Sequence, residues 1–200
     1  MSTSAKYAGA AERWSEEQYA DSVAYLRHRA ELIVSLGLPL EPGDRILDLA
    51  CGDAGLADFL RGYDYLGVDA SEEMVRAARD RGAHVELADL NAYEPPEPVA
   101  ATTCFRAIYY ARDRRELFRR VAGYTTKKLV FDFDPRAVPA EPLLADVRAA
   151  GWERVEVRPF LMPQRHRLPR PLQTLLFTLE PVPGARLLTT VRFPLLLAAS

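Results

Sequence analysis

Two hundred residues, 48% of them hydrophobic and 27% charged, describe one ordinary globular domain with enough chain to bury a core. The formal net charge of −2 lacks the basic excess of a nucleic-acid binder, and no run approaches the roughly 20 apolar residues of a membrane span. Charge is nonetheless uneven: residues 1–100 hold 9 basic and 19 acidic side chains, residues 101–200 hold 17 and 9. An acidic first half suits a cationic ligand, and a basic second half an anionic ligand or an acidic surface, unless surface charge merely drifts.

Residues 1–6 read as a loose tail. From Ala10 to Leu36, Trp14, Tyr19, Val23, Leu26, Ala30 and Ile33 recur at three- and four-residue steps, which predicts one helix. GLPLEPGD (37–44) ends it. Strands and helices then alternate: a strand at Arg45–Ala50, a short helix at Gly55–Arg61, a strand at Tyr65–Ala70. SEEMVRAARDRG is a helix with Ser71 as its cap and Gly82 as its stop. A strand at His84–Leu90, a proline-rich loop, a strand at Val99–Phe105 and a helix at Asp113–Gly123 follow. Next come a strand at Lys128–Asp134, a helix over EPLLADVRAAGW and a strand at Arg154–Met162. Leu172, Leu175, Leu176 and Leu179 fall at i, i+3, i+4 and i+7, predicting a helix from Pro171 to Leu188; RFPLLLAA reads as a terminal strand.

This rhythm implies an α/β fold: a doubly wound, mostly parallel sheet with helices on both faces and its ligand beyond the carboxyl ends of the strands. Cys51 and Cys104 have neither framework nor metal spacing and read as reduced thiols; no metal is expected. MSTSAKYAGA lacks the apolar segment of a signal peptide, so the expected location is cytoplasmic.

The stretch RILDLACGDAGLADFL (45–60) raises the chemical question. Asp48 interrupts an apolar strand, and small residues follow at once. Gly52 and Gly55 do not fit the G-x-G-x-x-G spacing of a dinucleotide site, and a carboxylate at Asp48 repels phosphate. A ligand carrying an ammonium group suits it better.

ILDLACGDAG resembles the first motif of the class I, seven-stranded Rossmann-like S-adenosylmethionine-dependent methyltransferases, in their small-molecule branch. YLGVDASEEMVRAAR resembles the family's second strand and helix, ADL (88–90) its third strand end, and VAATTCFRAIYYARDRRELFRRV with KLVFDF its fourth and fifth strands. The resemblance runs from about Gly43 to Phe133. It implies one domain over 1–200: an N-terminal helical lid (1–40), a Rossmann-like core (41–163), a helical insertion (164–190) and a terminal strand (191–200).

The resemblance also assigns roles. Asp48 and the backbone of Ala50 would hold the ammonium of the methionine part, and Gly52 would let the backbone approach. Asp69 would accept from both ribose hydroxyls. Ala70 and Met74 would flank the adenine, Asp89 would take its amino group beside Leu90, and Phe105 would lie near the methionine part. The family usually has glycines where Ala50 and Ala54 stand, so Gly55 is expected to take over the permissive turn position from Ala54. Trp14 and Tyr19 resemble a lid over the cofactor, core packing being the alternative.

The implied activity is methyl transfer from S-adenosylmethionine to a small hydrophobic or aromatic acceptor by in-line displacement, with S-adenosylhomocysteine as product. The alternatives are a non-catalytic module binding either molecule and, more remotely, aminopropyl transfer, at which Asp132 and Asp134 hint. No residue stands out as a base; Tyr109, Asp132 and His166 are the candidates. Arg106 and Tyr109 after the fourth strand, and Arg165 within the run Arg154, Arg158, Arg165, Arg167 and Arg170, are candidate acceptor contacts. The helix after that run is expected to roof the acceptor site over the strand ends. It could instead touch an anionic membrane surface without a stable anchor, or simply pack on the sheet. Nucleic acid is not an expected partner.

Overall fold

The computed structural model describes residues 14–182, 184 and 194–200. Seven strands form one sheet: β1 (Arg45–Leu49), β2 (Asp64–Asp69), β3 (Val85–Leu87), β4 (Val99–Cys104), β5 (Thr125–Phe133), β6 (Val155–Pro159) and β7 (Leu195–Ala199). Their order is β3-β2-β1-β4-β5-β7-β6. The first five pair in parallel, and β7 runs antiparallel between β5 and β6. The helices are α1 (Trp14–Gln18), α2 (Ser22–Ser35), α3 (Glu72–Asp80), α4 (Arg114–Tyr124), α5 (Ala140–Ala149) and α6 (Arg170–Leu179).

The period-two alternation of each strand divides the core into two layers. Leu47, Leu49, Phe131, Phe133, Leu195 and Leu197 pack with Leu117, Phe118 and Val121 of α4 and with Leu143 and Val147 of α5. Ile46, Val130, Leu196 and Ala198 point the other way, onto Leu26, Ala30 and Ile33 of α2. Asp48 and Asp132 each sit two residues beyond an α2-facing residue, Ile46 and Val130, on the same face. The acid inside the apolar run is therefore the last α2-facing position of β1, where the face meets the carboxyl edge.

At the opposite edge Lys128 is fully buried and donates to the carbonyls of Val34 (3.1 Å) and Leu36 (2.8 Å). A cation on the last carbonyls of α2 complements the negative end of the helix. Burial pulls its ammonium down to about 8.

Several expectations are corrected. The single helix Ala10–Leu36 is, within the described residues, two helices broken at Tyr19–Asp21. Asp21 caps α2 by accepting from the Ala24 N–H at 3.2 Å, and the Ala20 N–H is drawn to the Gln164 carbonyl at 2.9 Å. The helix expected at Gly55–Arg61 is one 3-10 turn, Ala57–Phe59. β3 is three residues long, against the seven expected from His84 to Leu90. The neighbour of β6 is the antiparallel β7, although β6 keeps the direction of β5.

The largest correction concerns α6. It ends at Leu179 instead of Leu188; residues 183 and 185–193 lie outside the described residues. It packs beside α2: Phe177 stacks on His28 at 3.6 Å, and the buried Glu180 accepts from His28 Nε2 at 2.8 Å and from the Leu161 N–H at 2.7 Å. Gln173 is its buried side chain, while Leu172 and Leu175 point outward at 41% and 54% exposure. These polar anchors on α2 outweigh the leucine periodicity.

Candidate active site

A cavity of about 740 Å³ lies along the carboxyl edges of the first four strands, within the range of about 300–1,000 Å³ typical of small-molecule sites. The turn after β1 forms its floor. Ala50, Gly52 and Ala54 all lie in the left-handed region, at φ 57°, 61° and 53°. Gly55 does not, which overturns the expectation that it replaces Ala54 as the permissive residue. It is glycine for another reason: a Cβ there would stand 2.5 Å from Ser15 Oγ and 2.9 Å from Ser15 Cβ. Ser15 is docked on this turn. Its N–H donates to Asp53 Oδ2 at 3.0 Å and its hydroxyl to Asp53 Oδ1. Asp53 and Gly55 thus seat α1 over the cavity.

Three carboxylates from adjacent strand ends line this space. Asp48 is 4% exposed and accepts from Thr103 Oγ1 at 2.6 Å and Tyr65 Oη at 2.8 Å. Burial, opposed by those two hydrogen bonds, pushes its carboxyl up to about 6. Asp69 accepts the N–H of Gly52 at 2.8 Å and of Ser71 at 2.9 Å; its carboxyl is also raised by burial. Asp89 takes the Asn91 N–H at 2.8 Å and Arg112 at 2.9 Å, and the Asn91 backbone bond leads in holding its carboxyl below the usual range. Ala50, Gly52, Ala70, Met74, Leu90 and Phe105 also line the cavity, so all nine cofactor-site expectations converge on one space.

The remaining candidates divide. Trp14, Tyr19, Arg106 and Tyr109 line the cavity. Asp132 is buried and does not line the cavity. Its carboxylate accepts the Arg106 N–H at 2.5 Å and faces an Arg29 nitrogen at 3.4 Å, both oxygens engaged. Asp134, the second acid of the aminopropyl hint, is chelated by Arg136. His166 and Arg165 are exposed and lie outside the cavity wall, as do all residues of 154–180; Arg158 pairs with Glu156. The segment after β6 is held beside α2, so the arginine run does not form the cavity mouth.

Sequence reading missed Arg29, Asp53, Ser15 and Arg112, all of which line the cavity. For Arg29 a signal existed: it occupies the apolar stripe of α2 between Tyr25, Leu32 and Leu36, where a guanidinium needs a partner.

Residues 46–128 match the family model described as a methyltransferase domain. Over 118 residues the chain is 29% identical to a trans-aconitate 2-methyltransferase of Mycobacterium sp. (strain KMS), covering 55% of this chain and 44% of that protein. Over 92 residues it is 35% identical to a protein of the same name from Azoarcus sp. (strain BH72), covering 43% and 36%. The chain therefore spans less than half the length of these curated relatives. A TehB-like SAM-dependent methyltransferase of Corynebacterium glutamicum shares the fold at TM-score 0.69 and 18% identity, with 98% of each chain covered. Residues 46–128 thus match a methyltransferase domain, and the chain as a whole shares the fold of the TehB-like enzyme, in keeping with its sheet order and the left-handed turn after β1.

Proposed function

We propose that this chain binds S-adenosylmethionine over the ends of β1, β2 and β3 and methylates a small acceptor held over β4 and β5. The observation that carries the reading is the row of carboxylates, Asp48, Asp69 and Asp89, on one cavity wall beside a left-handed turn. Their chemistry fits the cofactor in three places. A carboxylate has about four acceptor sites, so Asp48 keeps room for an ammonium beyond Thr103 and Tyr65. Asp69, fixed by two backbone N–H groups, presents its remaining lone pairs to a ribose diol. Asp89 closes the far end beside Leu90, for the adenine amino group.

When bound, S-adenosylmethionine would supply an electrophilic methyl group that passes to an acceptor lone pair as the carbon–sulfur bond breaks, leaving S-adenosylhomocysteine. The chain's contribution is positioning. Tyr19, Leu26, Phe105, Tyr109 and Tyr110 give the β4 end an apolar and aromatic wall, which supports a hydrophobic or aromatic acceptor body. Trp14 on α1 stands over Gly52 and shields the turn; a Cβ on Gly52 would lie 3.6 Å from its ring. Burial raises the Tyr109 phenol, so it remains a neutral donor and not a base. No side chain of this wall is an ionised base, which favours an acceptor that is already nucleophilic at neutral pH.

Titration calorimetry with S-adenosylhomocysteine and with NAD tests the cofactor half. Saturable binding of the first and none of the second is expected; the reverse pattern overturns the reading. Release of S-adenosylhomocysteine from S-adenosylmethionine in the presence of an acceptor panel tests the transfer.

A further inference from the structure

The cavity is electrostatically two-ended. Its acids Asp48, Asp53, Asp69 and Asp89 belong to β1, β2, β3 and the turns after them. At the β4 end the lining charges are Arg29 and Arg106, with Asp132 behind them; Arg112, the third lining arginine, is paired with Asp89. One carboxylate against two guanidiniums leaves an excess of one positive charge.

Arg29 is the unusual member. It is 4% exposed yet lines the cavity. Its guanidinium carbon lies 4.3 Å from the Phe105 ring centre and 4.9 Å from that of Tyr25. One Nη donates to Tyr25 Oη at 3.1 Å and approaches Asp132 at 3.4 Å, long for a charge-assisted bond. Its Nε has no hydrogen-bond acceptor among the described residues. A buried charged donor left unmatched is costly, and at a cavity wall an acceptor on a bound molecule would satisfy it. Arg106 shows the same economy. Its backbone sits in the left-handed region at φ 53°, held there by its N–H on Asp132, and its guanidinium reaches Gln18 Oε1 only at 3.5 Å and the Tyr19 hydroxyl. A side chain of this chemistry at a strained backbone position is a mark of function.

We infer that Arg29 and Arg106, with Tyr19 between them, form a clamp for a carboxylate of the acceptor, so that the substrates are small organic acids with an apolar or aromatic body. This deepens the methyl-transfer reading and rests on it. The excess of one charge matches a monoanionic carboxylate better than a phosphate dianion, and the planar fork of arginine matches its two oxygens. The basic second half of the sequence thus contributes to anion binding through Arg106, and the acidic first half supplies the second arginine.

The test uses the full chain saturated with S-adenosylhomocysteine and four probes: trans-aconitate, its trimethyl ester, benzoate and benzamide. Calorimetry should show that at least one acid binds while its neutral counterpart binds roughly 10- to 100-fold more weakly. Arg106→Gln should remove that preference while S-adenosylhomocysteine still binds, which also reports that the variant is folded. Arg29→Gln removes the charge facing Asp132, which keeps the Arg106 N–H; it should weaken acid binding too, and an unchanged acid preference in a variant that still binds S-adenosylhomocysteine removes Arg29 from the clamp. Failure of the wild type to bind S-adenosylhomocysteine overturns the methyl-transfer reading and the clamp with it. Binding of S-adenosylhomocysteine with no preference for either acid, or a preference that survives Arg106→Gln, overturns the clamp alone.

Discussion

If the proposed site is right, Asp48 should tie cofactor affinity to pH. With its carboxyl pushed up to about 6 by burial, the free protein carries a neutral Asp48 in mild acid and an ionised one at neutral pH. An ammonium binds the ionised form. Lowering the solution from about pH 7 to about pH 5 cuts the ionised fraction, and hence affinity for S-adenosylhomocysteine, about tenfold if Asp48 governs it. Calorimetry across that range reads the effect directly. Asp48→Asn should weaken binding and flatten the dependence. It should also stabilise the ligand-free protein at neutral pH. The sign follows from linkage: a carboxyl raised on folding contributes stability at acid pH that is lost as pH climbs from about 4 through about 6, and asparagine escapes that loss. Affinity that stays flat between the two pH values in the wild type would refute the assignment of Asp48 to the ammonium.

Asp69→Ala removes the acceptor of the Gly52 and Ser71 N–H groups and, on the proposed reading, the ribose contact, and should cost about 1.5–3 kcal/mol of S-adenosylhomocysteine binding; unchanged affinity in a folded variant removes Asp69 from the site. Gly55→Ala places a Cβ 2.5 Å from Ser15 Oγ, so α1 must lift; hydrogen exchange at residues 14–18 should speed up and stability fall by about 1–3 kcal/mol, whereas unaltered exchange means α1 is not seated by this turn. Lys128, held down to about 8 by burial, makes the folded state release its proton before the unfolded one. Stability should therefore rise from about pH 8 toward about pH 10. Denaturant unfolding should lose that slope in Lys128→Met, and a slope that persists assigns the effect elsewhere.

The sequence by itself determined the alternation of strands and helices, the parallel core and the three acids at successive strand ends. The elements follow from local rules: period-two and period-3.6 patterning with glycine and proline punctuation; of the acids, Asp48 stands out within its apolar strand, while Asp69 and Asp89 are marked by the resemblance of their motifs to the methyltransferase family. Tertiary structure decided what lies above that edge. The periodicity of Ala10–Leu36 continues through Tyr19–Asp21, but the chain breaks there because Asp53 captures Ser15 and Gln164 captures Ala20, contacts 38 residues or more away in sequence. The leucines of α6 predicted a cleft-facing stripe, yet the buried His28–Glu180 pair and the Phe177 stack fix the helix beside α2 and turn Leu172 and Leu175 outward. Arg29 remained hidden for the same reason: a guanidinium on the apolar stripe of a helix is legible as an anomaly, but its partner Asp132 lies 103 residues away, and only the packing of α2 on β5 brings the two to the cavity wall.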